Sequence, residues 1–284
     1  MKKNKIFQWL LLTPVILYSV ILIALPLLYI LALSFLKNDA YGSILLQTTL
    51  ENYRMIFDIV YVKVFLKSFA IAAITTFICV VIAYPFAICV SQKSPLKRNI
   101  LITLVMVPFL TNSLIRMYGW IILLRKEGLI NNFLTSMHFI SRPFNLMYND
   151  IGIIIGMVYT LLPFMILPVY SSVCKIGKSQ LEAAADLGAN KLQIFFHVIV
   201  KSTIPGLFNG SLMVFIPAIG YFFISDILGG GKLMLLGNLI KNQFLTARNW
   251  PFGAAISIVL IMITFFFVKL YKKLGGNMDE LGGL

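Results

Sequence analysis

Leu181–Gly188 reads Leu-Glu-Ala-Ala-Ala-Asp-Leu-Gly, and it lies inside a chain that is otherwise mostly apolar. Leu181, the three alanines and Leu187 favour helix and carry little bulk. Gly188 offers the left-handed backbone on which a helix ends. Ser179 and Glu182 have the spacing of a capping box, in which the serine accepts from the Glu182 amide and the carboxylate reaches back. Ala189-Asn190 completes a turn, and a second helix is expected from near Lys191, passing His197 into the next apolar block. The segment therefore predicts two short helices at an angle, with a small-residue surface against which another protein can fit.

Outward from this loop, which runs over about residues 175–201, the chain is built for a bilayer. It has 284 residues, of which 60% are hydrophobic and only 12% charged. Six stretches lack Asp, Glu, Lys and Arg: Ile6–Leu36, Ser68–Gln92, Asn99–Ile115, Ile151–Cys174, Ser202–Ser225 and Asn249–Val268. A helix needs about 20 residues to cross. The third stretch reaches that length only if it continues past Arg116 to Leu124. The predicted spans are thus about 6–36, 68–92, 99–124, 151–174, 202–225 and 249–272. Backbone groups in lipid must be satisfied within the segment, so the spans are helices and the fold class is an all-α membrane protein.

The net charge of +14 does not indicate nucleic acid, because the bases flank apolar blocks instead of forming one patch. They read as topology. Lys2, Lys3 and Lys5, then Lys93, Lys97 and Arg98, then Lys175, Lys178, Lys191 and Lys201, then Lys269, Lys272 and Lys273 all fall on one side of six spans. That side, holding both termini and the Leu181–Gly188 loop, is expected to be cytoplasmic. The first block is too long for a cleavable signal core and reads as a retained anchor. Cys79, Cys89 and Cys174 lie in or beside spans and suggest neither a disulfide framework nor a metal site.

No domain linker is evident, and one membrane domain is expected. The outward loop Lys37–Lys67 is polar. Gly128–Ser141 and Leu233–Ile240 are apolar but too short to span, and suit interfacial or re-entrant helices. Pro163 and Pro217 sit mid-span and are candidate hinges. The pairs Gly152/Gly156 and Gly206/Gly210 have the spacing that lets helices approach closely. Gly229-Gly-Gly-Lys232 lacks the first glycine and the following Ser/Thr of a phosphate loop. His138 and His197 fall in different loops. No catalytic constellation is present, so an enzyme is not expected.

Glu182-Ala183-Ala184, three residues and Gly188 resemble the signature of inner-membrane permeases of ABC importers. That resemblance implies a six-helix permease whose loop of coupling helices inserts into a cytoplasmic ATPase. Leu181, Glu182, Ala183, Ala184, Asp186 and Gly188 would be the coupling residues. It further implies an ATPase dimer using ATP and Mg, with no cofactor on this chain itself. A second, different permease subunit, an extracytoplasmic solute-binding protein delivering to Lys37–Lys67 and Asp226–Arg248, and the lipid of a bacterial inner membrane complete the implied partners. The family usually carries proline where Lys201 stands, and Pro205 follows four residues later.

Thr111–Gly119, Leu161–Phe164, Pro168–Ser172, Phe223–Gly230 and Asn249–Ala255 are similar to the spermidine/putrescine branch of these permeases; relatives for sulfate, molybdate, iron or thiamine share parts of the pattern. For a polycation, the candidate path residues are Asp226, the acid nearest a span end on the outer side, and the aromatics Tyr118, Trp120, Tyr221, Phe222 and Phe223. Arg116 would repel a cation and is expected to pair with an acid, contact a partner or snorkel outward. An ion-coupled secondary transporter would need charged pairs in mid-span and inverted repeats, and neither is found.

Overall fold

The computed structural model describes residues 12–39 and 42–273. In chain order they form α1 (Leu12–Ser34), an antiparallel hairpin of β1 (Leu36–Asn38) and β2 (Ile44–Thr48), α2 (Glu51–Met55), α3 (Ile59–Ser91), α4 (Pro95–Leu110) and α5 (Ser113–Leu124). There follow α6 (Leu129–Ser136), α7 (Asp150–Cys174), α8 (Lys178–Asp186), α9 (Lys191–Gly220), α10 (Phe222–Leu228), α11 (Leu236–Leu245) and α12 (Trp250–Lys273). Lys2, Lys3, Lys5 and residues 6–11 of the first predicted span lie outside the described residues.

Among the described residues, α1, α3, α7, α9 and α12 are long and apolar enough to cross a membrane, and the pair Pro95–Leu110 and Ser113–Ser136 makes a sixth if taken as one span. That pair bends by 95°, so the predicted span 99–124 is not one straight helix. Asn112 supplies the reason: its side chain accepts from the Leu114 amide at 2.8 Å and starts a new helix. The second span begins earlier than expected, at Ile59, and carries Lys67 into the helix, where Lys67 pairs with Asp150 at 2.9 Å. The fifth predicted span, 202–225, is interrupted at Tyr221, whose ψ of 84° separates α9 from α10.

Two compact units divide the chain. Among the described residues, one comprises 12–39, 42–63 and 239–263. Here buried Asn52 donates to the carbonyls of Ser34 (3.0 Å) and Leu36 (2.8 Å), fixing α2 beneath the end of α1. Tyr61 packs on Phe252 with ring centroids 4.8 Å apart. The apolar window of α1 itself is uncovered.

The other unit comprises, among the described residues, 64–238 and 264–273. Its centre is α7, whose Ile153, Met157, Leu161, Met165 and Val169 are fully enclosed. The paired glycines explain why. A side chain at Gly206 would strike Ser172 and the Pro168 carbonyl, and one at Gly210 would strike Met165, so α9 lies directly on α7. A side chain at Gly156 would strike Leu228 and Ile224 of α10. Phe69, Phe215 and Phe267 join α3, α9 and α12, and the hydroxyls of Tyr84 and Thr203 meet at 2.8 Å between α3 and α9.

Candidate coupling surface and substrate path

α8 starts at Lys178 with Gly177 as its cap, and no side chain caps it. The expected Ser179–Glu182 box is not formed, because Ser179 already lies within the first turn instead of ahead of it. The box occurs one helix later. Asn190 accepts from the Gln193 amide at 2.9 Å and Gln193 accepts from the Asn190 amide at 2.8 Å, which fixes the start of α9. Gly188 has φ +83°. The Ala189 amide donates to Ala184 at 3.1 Å and the Gly188 amide to Ala185 at 2.9 Å, the double closure that ends a helix on a left-handed glycine.

α8 packs on the π-helical turns Ile194–Val200 of α9. Leu181 and Ala184 are half-buried, while Glu182, Ala183, Asp186 and Gly188 are exposed. Leu187 is 90% exposed, Leu192 70% and Phe196 58%. Leu192 and Phe196 stand four apart and share a face of α9. Sequence reasoning missed these two; their spacing directly after the plug was the available signal. α9 runs through Lys201 and past Pro205 as one helical segment, its turns over Ile194–Val200 π-helical.

Of the candidate path residues, Tyr118 and Trp120 lie on α5, Phe222, Phe223 and Asp226 on α10, and Tyr221 just ahead of α10; α5 and α10 pack on each other and on α7. Trp120 sits edge-on to Tyr159 at 5.3 Å. Tyr221 and Phe223 lie 5.3 Å apart, and Phe222 and Phe223 6.3 Å. Tyr118 is exposed on α5 and takes no part in the ring contacts among the described residues. Asp226 is half-buried and accepts from Asn238 Nδ2 at 2.6 Å. Asn238, which sequence reasoning also missed, is buried. It donates to the Phe222 carbonyl (3.1 Å) and accepts from the Leu235 amide (3.2 Å). Pro163 is buried inside unbroken α7. Pro217 lies just before the α9–α10 break, and its carbonyl accepts from the Tyr221 amide at 3.0 Å. Gly237 is seated against the Gly220 carbonyl at that break.

Of the alternatives expected for Arg116, pairing with an acid is not seen. The residue makes no ion pair among the described residues and lies instead between rings, its Cζ 5.2 Å from the Phe109 centroid and 5.7 Å from that of Tyr159. Its Nε and Nη1 are buried without an acceptor among the described residues. Each unmet buried donor costs about 1–3 kcal/mol, whereas a ring face returns about 0.5–2 kcal/mol.

The family profile described as binding-protein-dependent transport system inner membrane component matches residues 80–275, and the chain belongs to that family. It is a non-catalytic permease subunit of an ABC import system, resident in a membrane. It is 43% identical, over 94% of its length and 91% of the relative, to the spermidine/putrescine transport system permease protein PotB of Haemophilus influenzae. To PotB of Escherichia coli K12 it is 44% identical, over 90% of its length and 93% of the relative. Among solved structures, a bacterial ABC transporter involved in the import of the acidic polysaccharide alginate shares the fold. The TM-score is 0.76 at 13% identity, over 95% of this chain and 96% of that one.

Proposed function

We propose that this chain is one of two permease subunits in an importer of polyamines such as spermidine and putrescine. The observation that carries the substrate class is the 43% identity to PotB across nearly the whole chain. The chain serves as one transmembrane permease domain with both termini and α8 on the cytoplasmic side. An ATPase dimer, using ATP and Mg, seats on Leu181–Gly188 together with Leu187, Leu192 and Phe196. That seat is supported by their exposure, since uncovered apolar groups outside lipid mark a partner surface. A different permease completes the path. A solute-binding protein docks outside, near the cavity of about 450 Å³ lined by Gly42, Ile44, Phe244, Leu245, Arg248 and Trp250, which brings together the two outer loops. Asp226 takes an ammonium group, with Trp120, Tyr221, Phe222, Phe223 and exposed Tyr118 along the way, and Pro217 beside the Gly220–Tyr221 break contributes to the moving joint, with Pro163 as a second bend.

The test is reconstitution of the complete complex in proteoliposomes with its binding protein. ATP-dependent uptake of radiolabelled spermidine is expected. Uptake of sulfate, molybdate, iron or thiamine in its place removes the substrate assignment. Uptake that survives ATP depletion but is abolished by an ionophore removes the ATP-driven mechanism.

A further inference from the structure

We propose that Arg116 is a tethered cation that occupies an aromatic cage of Phe109 and Tyr159 in the substrate-free protein, and that it yields this cage to an ammonium group of the transported polycation. The proposal rests on the polyamine reading above. The guanidinium lies within cation–π distance of both rings, 5.2 and 5.7 Å from their centroids. Its Nε and Nη1 are buried with no acceptor among the described residues. A guanidinium keeps its charge at any accessible pH and cannot adapt by losing a proton. An ammonium group seeks the same ring faces, and neither cation accepts a hydrogen bond from the other. Occupancy is therefore exclusive.

The backbone supplies a way out. Phe109 belongs to α4, Arg116 to the first turns of α5 beyond the 95° bend, and Tyr159 to α7. The cage thus straddles the bend, and a change in bend angle parts its walls. Trp120 leans on Tyr159, which extends the aromatic run beyond the cage along α5. A fixed positive charge in the empty path repels small monovalent cations and gives way to a ligand that brings several charges at once.

Two measurements on the complete complex in lipid nanodiscs test this. The first is equilibrium binding of radiolabelled spermidine without ATP. Arg116→Met is expected to bind about fivefold or more tightly than the unmodified complex, because no resident cation must leave first, whereas Arg116→Lys retains near-normal affinity. Equal or weaker binding by Arg116→Met, or the same gain in Arg116→Lys, overturns the proposal. The second needs no variant: the arginine reagent phenylglyoxal is applied with and without spermidine, and labelling of the Arg116 peptide is read by mass spectrometry. Spermidine is expected to raise labelling; unchanged or reduced labelling overturns the proposal. Spermidine uptake by the unmodified complex separates the two claims. With uptake intact and these signals missing, the cage alone falls; with no spermidine bound or transported, both fall.

Discussion

Asn238 donates from Nδ2 to the carboxylate of Asp226 at 2.6 Å and from the same nitrogen to the Phe222 carbonyl at 3.1 Å. One buried amide thus fixes both the start of α10 and the acid one turn further along it. An amide orients a carboxylate without cancelling its charge, which suits the role proposed for Asp226.

Asp226→Asn keeps the size of the side chain and discards the charge. Melting of the purified complex is expected to shift by no more than about 1 kcal/mol. Loss of one charged contact worth about 1.4 kcal/mol lowers spermidine uptake roughly tenfold. Undiminished uptake would take Asp226 out of the path.

Gly188 has open space around its missing Cβ but a φ of +83°. Gly188→Val therefore meets no clash and still strains the turn by about 1–2 kcal/mol, the penalty of left-handed backbone for a substituted residue. The strain stays in the plug. The subunits are expected to copurify while spermidine no longer stimulates ATP hydrolysis; Gly188→Asn, which tolerates this backbone, retains most of the stimulation. Normal stimulation in the valine variant would count against α8 as the coupling element.

Leu187 and Leu192 are exposed in the lone chain. Leu187→Glu with Leu192→Glu should change the permease's own stability by no more than about 0.5 kcal/mol per site, as at other open surface positions. Size-exclusion chromatography of the detergent-solubilised complex is expected to show the ATPase eluting separately. Retention of a stoichiometric ATPase would place the seat elsewhere.

Gly206 has no room for a side chain against Ser172 and Pro168, whereas Gly119 has nothing within 4 Å of its would-be Cβ. Gly206→Leu should destabilise by about 1–3 kcal/mol or more through overpacking. A thermal melt followed by aggregation in detergent reads the difference. Gly119→Ala serves as the neutral comparison, and equal melting of the two would contradict the close contact between α7 and α9.

The spans were legible because lipid leaves the backbone few choices: runs without charge mark helices whatever packs around them. The glycine pairs were legible for a similar reason, since small residues four apart have one common use in a bundle. Breaks were harder to read. Apolar content continues unbroken through Tyr221, and the interruption there depends on Gly237 coming from another helix to sit against Gly220, a contact no local pattern encodes. The Ser179 box failed because a glycine one position ahead of Lys178 offered the helix an earlier start, and the same chemistry reappeared at Asn190. Leu187 was visible as part of the plug, but Leu192 and Phe196 read as the approach to a span until the structure left them uncovered. Arg116 was recognised as an anomaly, yet its resting place between Phe109 and Tyr159 joins three helices and could not be read from one.

The helix from Lys191 to Gly220 begins three residues after Gly188 and ends where the chain gives way beside Asp226. Thirty residues at about 1.5 Å each make a rod roughly 45 Å long. A tilt of about 5° imposed at its inner tip displaces the outer tip by about 4 Å, roughly the width of a methylene chain. On the coupling role proposed for α8, such a tilt is carried past Lys201 to the joint at Gly220–Tyr221.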